Sequence, residues 1–178
     1  MCGILGVSNS LIGNMGSSIE LENSFRKFFA ASLSLLDHRG PDASGVEAFP
    51  DTGVYLGHTR LAIQDLSSSG AQPMMSQDKK IAITFNGEIY NFPALKISLI
   101  DLGYVFASNT DTEVIIYLYA EFGLDCLTML DGIFALAIFD KEKNNVIIAR
   151  DGLGVKPLYY YHDKSSFVFS SEIKAIEK

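Results

Sequence analysis

Cys2 is the residue whose position in this 178-residue chain most favours chemistry. It directly follows Met1, and initiator methionine is usually removed when the second residue is small, so we expect the mature chain to begin with cysteine. Such a residue holds a thiol nucleophile and a free α-amine on one carbon, and the amine is a base that accepts the thiol proton. Position alone favours a small buried residue that starts a strand. The other motifs reverse that preference.

The pair Asn86-Gly87 lies between an apolar run and a helix-like segment, in Phe85–Asn91. Asn-Gly most often forms a tight turn, and in isolation that interpretation is favoured. The catalytic alternative is that the Asn amide and an unhindered Gly N–H supply two donors, the composition of an oxyanion hole. Glu88, next in line, suits either a substrate ammonium or the cap of the following helix.

Two further charged residues fit a binding site for an amino acid. Arg60 follows a strand-like run in apolar surroundings, where a guanidinium needs a carboxylate from the protein or from a ligand. Asp111 lies at a predicted helix N-terminus, where a capping carboxylate is the default interpretation. In isolation, each of these signals favours a structural role.

Composition excludes several classes of function. The net charge is −7, which disfavours nucleic-acid binding. No apolar run approaches the roughly 18 residues of a membrane span, and a secretory signal is not expected. Cys2 and Cys126 are too few for a disulfide framework and are compatible with a cytoplasmic location. His38, His58 and His162 stand apart from each other and from the cysteines, so no metal site is predicted.

The strands fall in groups on both sides of a helical middle, which favours an α+β fold. Predicted strands span Cys2–Ser8, Gly45–Phe49, Val54–Ile63, Ile81–Phe85, Ile133–Phe139, Val146–Ala149, Leu158–Tyr161 and Phe167–Phe169. Predicted helices span Leu21–Leu36, Ala94–Leu102 and Asp111–Phe122. Strands as apolar as Gly132–Phe139 must be covered on both faces. We therefore expect one domain over residues 1–178, with two stacked sheets and helices outside.

Several motifs in a fixed order resemble the glutaminase domain of class II, N-terminal-nucleophile glutamine amidotransferases, most closely that of the asparagine synthetases. They are MCGILG at 1–6, HRGPDASG at 38–45, GHTRLAIQDLSSSGAQPM at 57–74, FNGEIYN at 85–91, NTDTEVI at 109–115, DGIFALAIFD at 131–140 and RDGLGVKPLYY at 150–160. So many separate motifs in one order are very unlikely to arise by chance. The resemblance implies a four-layer αββα sandwich of two mainly antiparallel sheets, the N-terminal-nucleophile hydrolase fold.

The resemblance also implies a role for each matching position. Cys2 would be the nucleophile, with Asn86 and the Gly87 N–H as the oxyanion hole. Arg60 would bind the α-carboxylate of glutamine, and Glu88 and Asp111 its α-ammonium. Backbone groups of four consecutive residues would line the same pocket: Leu61, Ala62, Ile63 and Gln64.

The implied reaction converts L-glutamine and water into L-glutamate and ammonia through a γ-glutamyl thioester, and it needs no metal or other cofactor. Asparagine synthetases carry a second domain that accepts the ammonia, and its pyrophosphate-binding loop is not found in this sequence. We therefore expect a synthetase domain or subunit as partner, with ATP and Mg²⁺ needed only there. Neither nucleic acid nor membrane is an expected partner. The ammonia acceptor and any homo-oligomer are left open.

Two rival interpretations start from the same residues. An N-terminal-cysteine acylase would share the fold and attack another amide, although Arg60, Glu88 and Asp111 suit a zwitterionic amino acid better. A catalytically silent regulatory or interaction domain would keep the fold alone, and retention of the whole residue set disfavours it.

Overall fold

Two antiparallel sheets form the centre of the molecule. A computed structural model describes residues 1–14, 19–62 and 70–177. The strands within these ranges are β1 Gly3–Asn9, β2 Ala43–Phe49, β3 Val54–Arg60, β4 Met74–Met75, β5 Ile81–Ile89, β6 Gly132–Asp140, β7 Asn145–Arg150, β8 Tyr159–His162 and β9 Ser166–Ser170. One sheet has the order β2-β3-β1-β9-β8 and the other β4-β5-β6-β7.

Helices cover the outer faces of the two sheets. They are α1 Ser10–Asn14, α2 Ile19–Ser34, α3 Phe92–Asp101, α4 Asp111–Phe122 and α5 Cys126–Met129, with short 3₁₀ turns at Pro50–Thr52, Gly123–Asp125 and Ile173–Ala175. α2 packs on the first sheet through Phe29 and Leu33, and α4 packs on the second through residues such as Val114 and Leu118.

A third apolar layer lies between the sheets, so that four layers stack in the order αββα. Ile4 and Leu56 reach it from the first sheet, and Ala135 and Ala137 from the second. Because side chains alternate across a strand, even-numbered residues of β1, β3 and β5 face this inner layer. The predicted α+β sandwich is confirmed, and the alternation decides which residues enter the site.

Local sequence explains where the site-bearing helix begins and ends. Thr110 is the N-cap of α4, and its hydroxyl accepts a hydrogen bond from the Glu113 N–H. Gly123 follows the last helical residue with a φ of 58°, a conformation that glycine adopts without strain. Both ends agree with the sequence prediction.

Two predicted boundaries near the site were wrong. β3 ends at Arg60, and Leu61 and Ala62 are not in a strand, while Ile63 lies outside the described residues. β5 continues through Asn86-Gly87 to Ile89, so this pair is not a turn. The reason is that β6 pairs with β5 along its whole length, from Ile81 to Ile89, and overrides the local turn propensity.

The described residues show no helix long and apolar enough to cross a membrane. Over the same ranges, no group of three or more His, Cys, Asp or Glu side chains is placed to hold a metal ion.

Candidate active site

A cleft of about 170 Å³ opens where three strands and one helix meet. Cys2 precedes β1, Arg60 ends β3, Asn86 lies in β5 and Asp111 begins α4. The side chains of the first three are at even positions, which face the space between the sheets. The residues lining the cleft are Met1, Cys2, His58, Arg60, Leu61, Gly70, Gln72, Phe85, Asn86, Gly87, Glu88, Thr110, Asp111, Thr112 and Lys156.

The thiol of Cys2 is positioned by the backbone that follows β3. The Leu61 N–H donates to the Cys2 Sγ at 3.4 Å, and the register that pairs Gly3 with Thr59 brings these two segments together. Cys2 is half-buried, so its thiol is both held and accessible from the cleft. With Met1 attached, the Cys2 nitrogen is part of a peptide bond, and removal of Met1 would turn it into a free amine beside the thiol.

A charged tether fixes the main chain of Cys2. The Arg39 Nε donates to the Cys2 carbonyl at 3.1 Å, and its Nη1 lies 3.0 Å from the Glu172 Oε1. The Glu172 carboxylate also contacts His38 and Lys174. Burial raises the pKa of Glu172, but the hydrogen bonds from Arg39, Lys174 and His38 outweigh it and lower that pKa to about 2. The carboxylate therefore stays ionised and holds Arg39 against the Cys2 carbonyl at physiological pH.

Replacing Glu172 with alanine is expected to destabilise the domain by about 2 kcal/mol, because it leaves the buried Arg39 guanidinium without its carboxylate. Urea denaturation at pH 7.5 measures the change. Lys174→Ala is the matched control, since its ammonium is half exposed and its loss should cost less than about 0.5 kcal/mol. Equal effects of the two substitutions would contradict a tether through Arg39.

Asn86 and Gly87 present two donors at the cleft. The Asn86 side chain is 2% exposed, and its Nδ2 has no hydrogen-bond partner among the described residues. Gly87 lies opposite Phe134, whose own N–H and C=O are bonded to Asp151 on the far side. The Gly87 N–H therefore points away from β6, towards the cleft edge of β5.

Glycine is required at position 87 by the approach of β6. A Cβ there would lie 2.4 Å from the Ile133 carbonyl oxygen and 2.8 Å from the Phe134 Cα. A side chain at this position would push the two strands apart and displace the N–H at the edge of the cleft.

Asp111 and Glu88 form the anionic side of the cleft. The Asp111 Oδ2 accepts a hydrogen bond from the Ile89 N–H at 3.1 Å. Burial raises the pKa of Asp111 to about 6, opposed by that hydrogen bond and assisted by the nearby Glu88 charge. Two interacting carboxyl groups on one side of a cleft are suited to an ammonium ligand. The α3 helix has Asn91 as its N-cap, so Glu88 does not cap it.

Arg60 provides the cationic side. It is at the last position of β3, on the same face as His58, and the two are close enough for the Arg60 charge to lower the pKa of His58. The Gly70 backbone lies against its guanidinium, since a Cβ on Gly70 would be 2.5 Å from the Arg60 Nη2. Positive and negative groups therefore occupy one cleft together with the thiol.

Most of the predicted site residues are brought together, and three are not placed at the cleft. The predicted residues that line it are Cys2, Arg60, Leu61, Asn86, Gly87, Glu88 and Asp111. Ala62 is absent from the described lining, and its N–H donates to the Asp42 Oδ2 at 2.8 Å. Ile63 and Gln64 lie outside the described residues.

The cleft also includes residues that the sequence analysis did not single out, among them His58, Gln72 and Lys156. His58 could have been found from its spacing, because residues two apart on a strand share a face and Arg60 was already a candidate. Lys156 is carried by a loop whose N–H groups, including its own, bond the carboxylate of Asp151. No sequence signal placed that loop beside Gly87. Gly87 of β5 pairs with Phe134 of β6, and the Phe134 N–H donates to the Asp151 carboxylate that holds the loop.

Comparison with solved structures shows which fold these layers form. The glutamine phosphoribosylpyrophosphate amidotransferase from B. subtilis, solved with ADP and GMP, superposes with a TM-score of 0.75 over 99% of this chain and 43% of that chain, at 23% identity. A structure described as the allosteric regulatory enzyme of purine biosynthesis gives a TM-score of 0.78 at the same identity and coverage. The chain therefore shares the fold of these two enzymes, the N-terminal-nucleophile hydrolase fold.

A family model described as a glutamine amidotransferase domain matches residues 1–178. The chain belongs to the glutamine amidotransferase family. It is 43% identical to a probable glutamine-hydrolyzing asparagine synthetase of Dictyostelium discoideum over 99% of its own length and 30% of that protein. An asparagine synthetase of Oryza sativa is 41% identical over 99% of this chain and 28% of its own length. The chain thus spans less than a third of these relatives.

Proposed function

We propose that this domain hydrolyses L-glutamine to L-glutamate and ammonia and supplies the ammonia to an amidation reaction. The observation that carries the proposal is the buried Asn86 Nδ2, which lines the same cleft as Cys2 and has no partner among the described residues. A buried donor without a partner is costly. It becomes favourable when an oxyanion forms at that point, which is the requirement of acyl transfer.

The reaction begins with attack of the Cys2 Sγ on the γ-carbonyl carbon of glutamine. The α-amine of a processed Cys2 takes the thiol proton, and the carbonyl oxygen becomes an oxyanion that Asn86 and the Gly87 N–H stabilise. When this tetrahedral intermediate collapses, the C–N bond breaks and the α-amine gives its proton to the leaving nitrogen. Ammonia departs, and a γ-glutamyl thioester remains on Cys2. Water then attacks the thioester with the same amine as base, which releases glutamate and restores the thiol.

The charged groups of the cleft fix the orientation of the substrate. Arg60 is assigned to the α-carboxylate, and Asp111 with Glu88 to the α-ammonium. Binding at these two groups holds the γ-amide near Cys2 without contacting the reacting atoms, so binding energy lowers the entropic part of the barrier. The Leu61 backbone, which already contacts the thiol, borders the same space. For Ala62, Ile63 and Gln64 the pocket-lining role stays a prediction.

The ammonia acceptor is proposed to be an asparagine-synthetase-like domain or subunit. Support comes from relatives that are named glutamine-hydrolyzing asparagine synthetases and are more than three times as long as this chain. ATP and Mg²⁺ belong to that acceptor reaction, while the hydrolysis uses this chain's own residues. The cytoplasmic location stays a prediction.

The rival functions are less well supported. An acylase for an apolar amide has no use for Arg60 facing the same cleft as Asp111 and Glu88. A silent domain would have no need to keep an unpartnered donor buried beside a thiol, since replacing it with an apolar side chain would remove the cost.

The proposal is tested by incubating the purified full chain with L-glutamine and measuring glutamate and ammonia together. Equal amounts of both products are expected. Asn86→Ala should lower kcat by about 10²-fold, because one oxyanion donor is lost, and should leave KM within about threefold because ground-state binding is retained.

Asn109→Ala is the matched control, since its side chain contacts Lys96 outside the cleft, and it should keep the wild-type kcat. No glutamate from a chain shown by intact mass to lack Met1 would refute the proposed function. An unchanged kcat in Asn86→Ala would refute the oxyanion assignment.

A further inference from the structure

Among the residues that the structure describes, a neighbouring strand covers the cleft edge of β5 only near its beginning. Within the described residues, β4 pairs with β5 at Ala82 and Ile83, whereas β5 continues to Ile89. Phe85, Gly87 and Ile89 direct their backbone polar groups to this edge, because alternate residues of an antiparallel strand face the same side. Side chains must supply the hydrogen bonds that a neighbouring strand would supply elsewhere.

Both backbone polar groups of Phe85 are bonded in this way. Its N–H donates to the Gln72 Oε1 at 2.7 Å, and its carbonyl oxygen lies 3.2 Å from the His58 Nε2. A carbonyl is an acceptor, so the His58 Nε2 carries the proton and donates. The Phe85 carbonyl belongs to the planar peptide that includes the Asn86 nitrogen, so fixing it fixes the backbone from which the Asn86 side chain projects.

His58 is adapted to donate rather than to carry charge. It is 1% exposed, and burial lowers its pKa to about 4, with Arg60 adding to that effect against the hydrogen bond to Phe85. With the proton on Nε2, Nδ1 is a buried acceptor, and it has no partner among the described residues. A buried acceptor without a partner costs free energy, and an apolar side chain at position 58 would avoid that cost. The advantage of histidine over an apolar residue here is therefore the hydrogen-bond donor at Nε2.

We propose that His58 is a positioning residue for the oxyanion hole, holding the Phe85 carbonyl so that the Asn86 Nδ2 and Gly87 N–H stay aimed at the developing oxyanion. This inference rests on the proposed hydrolysis of glutamine. His58 acts through Phe85 and not on the substrate. Its loss should therefore weaken transition-state stabilisation while leaving ground-state binding at Arg60 and Asp111 intact.

Two substitutions separate the donor from the volume it occupies. His58→Leu removes the donor and keeps an apolar side chain, whereas His58→Gln keeps an N–H near the place of Nε2. We expect His58→Leu to lower kcat by about 10- to 100-fold with KM within about threefold, and His58→Gln to stay within about threefold of wild type in both. His58→Asn, whose amide is too short to reach Phe85, should follow His58→Leu and replaces it if that variant does not fold.

A second readout distinguishes positioning from general damage. L-Glutamate γ-semialdehyde adds to the Cys2 thiol and creates a tetrahedral oxygen in the oxyanion hole, whereas L-glutamate only occupies the binding groups. The affinity for the aldehyde should fall in His58→Leu by about the same factor as kcat, with the affinity for glutamate unchanged. Three results would overturn the proposal. They are equal losses of affinity for the aldehyde and for glutamate, a loss of kcat in His58→Gln equal to that in His58→Leu, and full kcat in both His58→Leu and His58→Asn.

Backbone amide exchange tests the positioning even if glutamine is not the substrate. The amides of Phe85 and Gly87 should exchange at least about tenfold faster in His58→Leu than in His58→Gln, because Phe85 has lost one of the two side chains that bond its backbone. Wild type that is inactive on glutamine would refute the proposed function alone. Equal exchange in the two variants would refute the role of His58.

Discussion

Cys2→Ala is expected to reduce glutamine hydrolysis by at least about 10³-fold, the largest effect of any substitution in this domain. The substitution removes the sulfur that forms the proposed thioester, and Cys2 is the one thiol among the described residues that line the cleft. The fold should be kept, because the Cys2 thiol makes only weak contacts with the Leu61 backbone. Glutamate release, with circular dichroism to confirm folding, measures the result.

Cys126 provides the control for this experiment. It is fully buried, and burial, with a contribution from Asp125, raises the pKa of its thiol to about 11. Cys126→Ala should therefore keep wild-type kcat, and iodoacetamide should alkylate one thiol per native chain, at Cys2. Turnover in Cys2→Ala, or alkylation of Cys126 in the native state, would contradict the assignment of the nucleophile.

The α-amine mechanism adds a requirement that mass spectrometry can check. Active preparations should consist of chains that lack Met1, since a peptide nitrogen at Cys2 is not a base. A chain blocked by an uncleavable residue before Cys2 should be inactive although it still binds glutamine. Full turnover by a chain that retains Met1 would show that another group accepts the thiol proton.

The sequence predicted the two stacked sheets from local patterns, whereas the candidate site residues came from the resemblance that the ordered motifs carry. Apolar runs predicted most of the strands that form the two sheets, and the predicted helix Asp111–Phe122 placed Asp111 at the start of α4. The positions of Cys2, Arg60 and Asn86 relative to one another follow from strand register, which no local pattern specifies. The motifs nevertheless led to these residues, because several motifs in one order resemble a single family although each residue in isolation favours a structural role.

What the sequence did not provide depends on contacts between distant strands. Asn86-Gly87 has the composition of a turn, and its place inside β5 is imposed by β6, some fifty residues later. His58 lay within a motif already identified, yet its role depends on the carbonyl of Phe85 across the space between the sheets. Gln72 likewise bonds the Phe85 N–H at a part of β5 that β4 does not pair with. That arrangement is a property of the sheet and not of the surrounding sequence.

Asp111→Asn is expected to have opposite effects on function and stability. An asparagine keeps an oxygen for the Ile89 N–H but carries no charge to bind the substrate α-ammonium. We expect kcat/KM for L-glutamine to fall on the order of 10³-fold, mainly through KM, because a buried charge pair is lost. Initial rates over a range of glutamine concentrations measure this change.

The stability of the free domain should rise in the same variant. The pKa of Asp111 is raised from 3.8 to about 6 in the folded state, chiefly by burial, so the folded domain favours the protonated carboxyl. That favourable contribution is complete below about pH 4 and is lost as the pH rises through about 6. Above pH 7 the ionised carboxylate destabilises the fold, and Asp111→Asn should be more stable than wild type by about 2 kcal/mol at pH 8.

The pH dependence separates this cause from ordinary repacking. The gain in stability of Asp111→Asn should shrink to near zero at pH 4, where wild type also carries a neutral side chain. As a control, Asp101→Asn changes an exposed carboxylate and should alter stability by less than about 0.5 kcal/mol at pH 4 and at pH 8. Because glutamine needs the ionised form, wild-type KM should increase as the pH falls below about 6. A gain that persists unchanged at pH 4 would mean that the Asp111 charge is not its source. The Asp111 carboxylate thus destabilises the empty cleft, and its use is explained by the substrate ammonium group that neutralises it on binding.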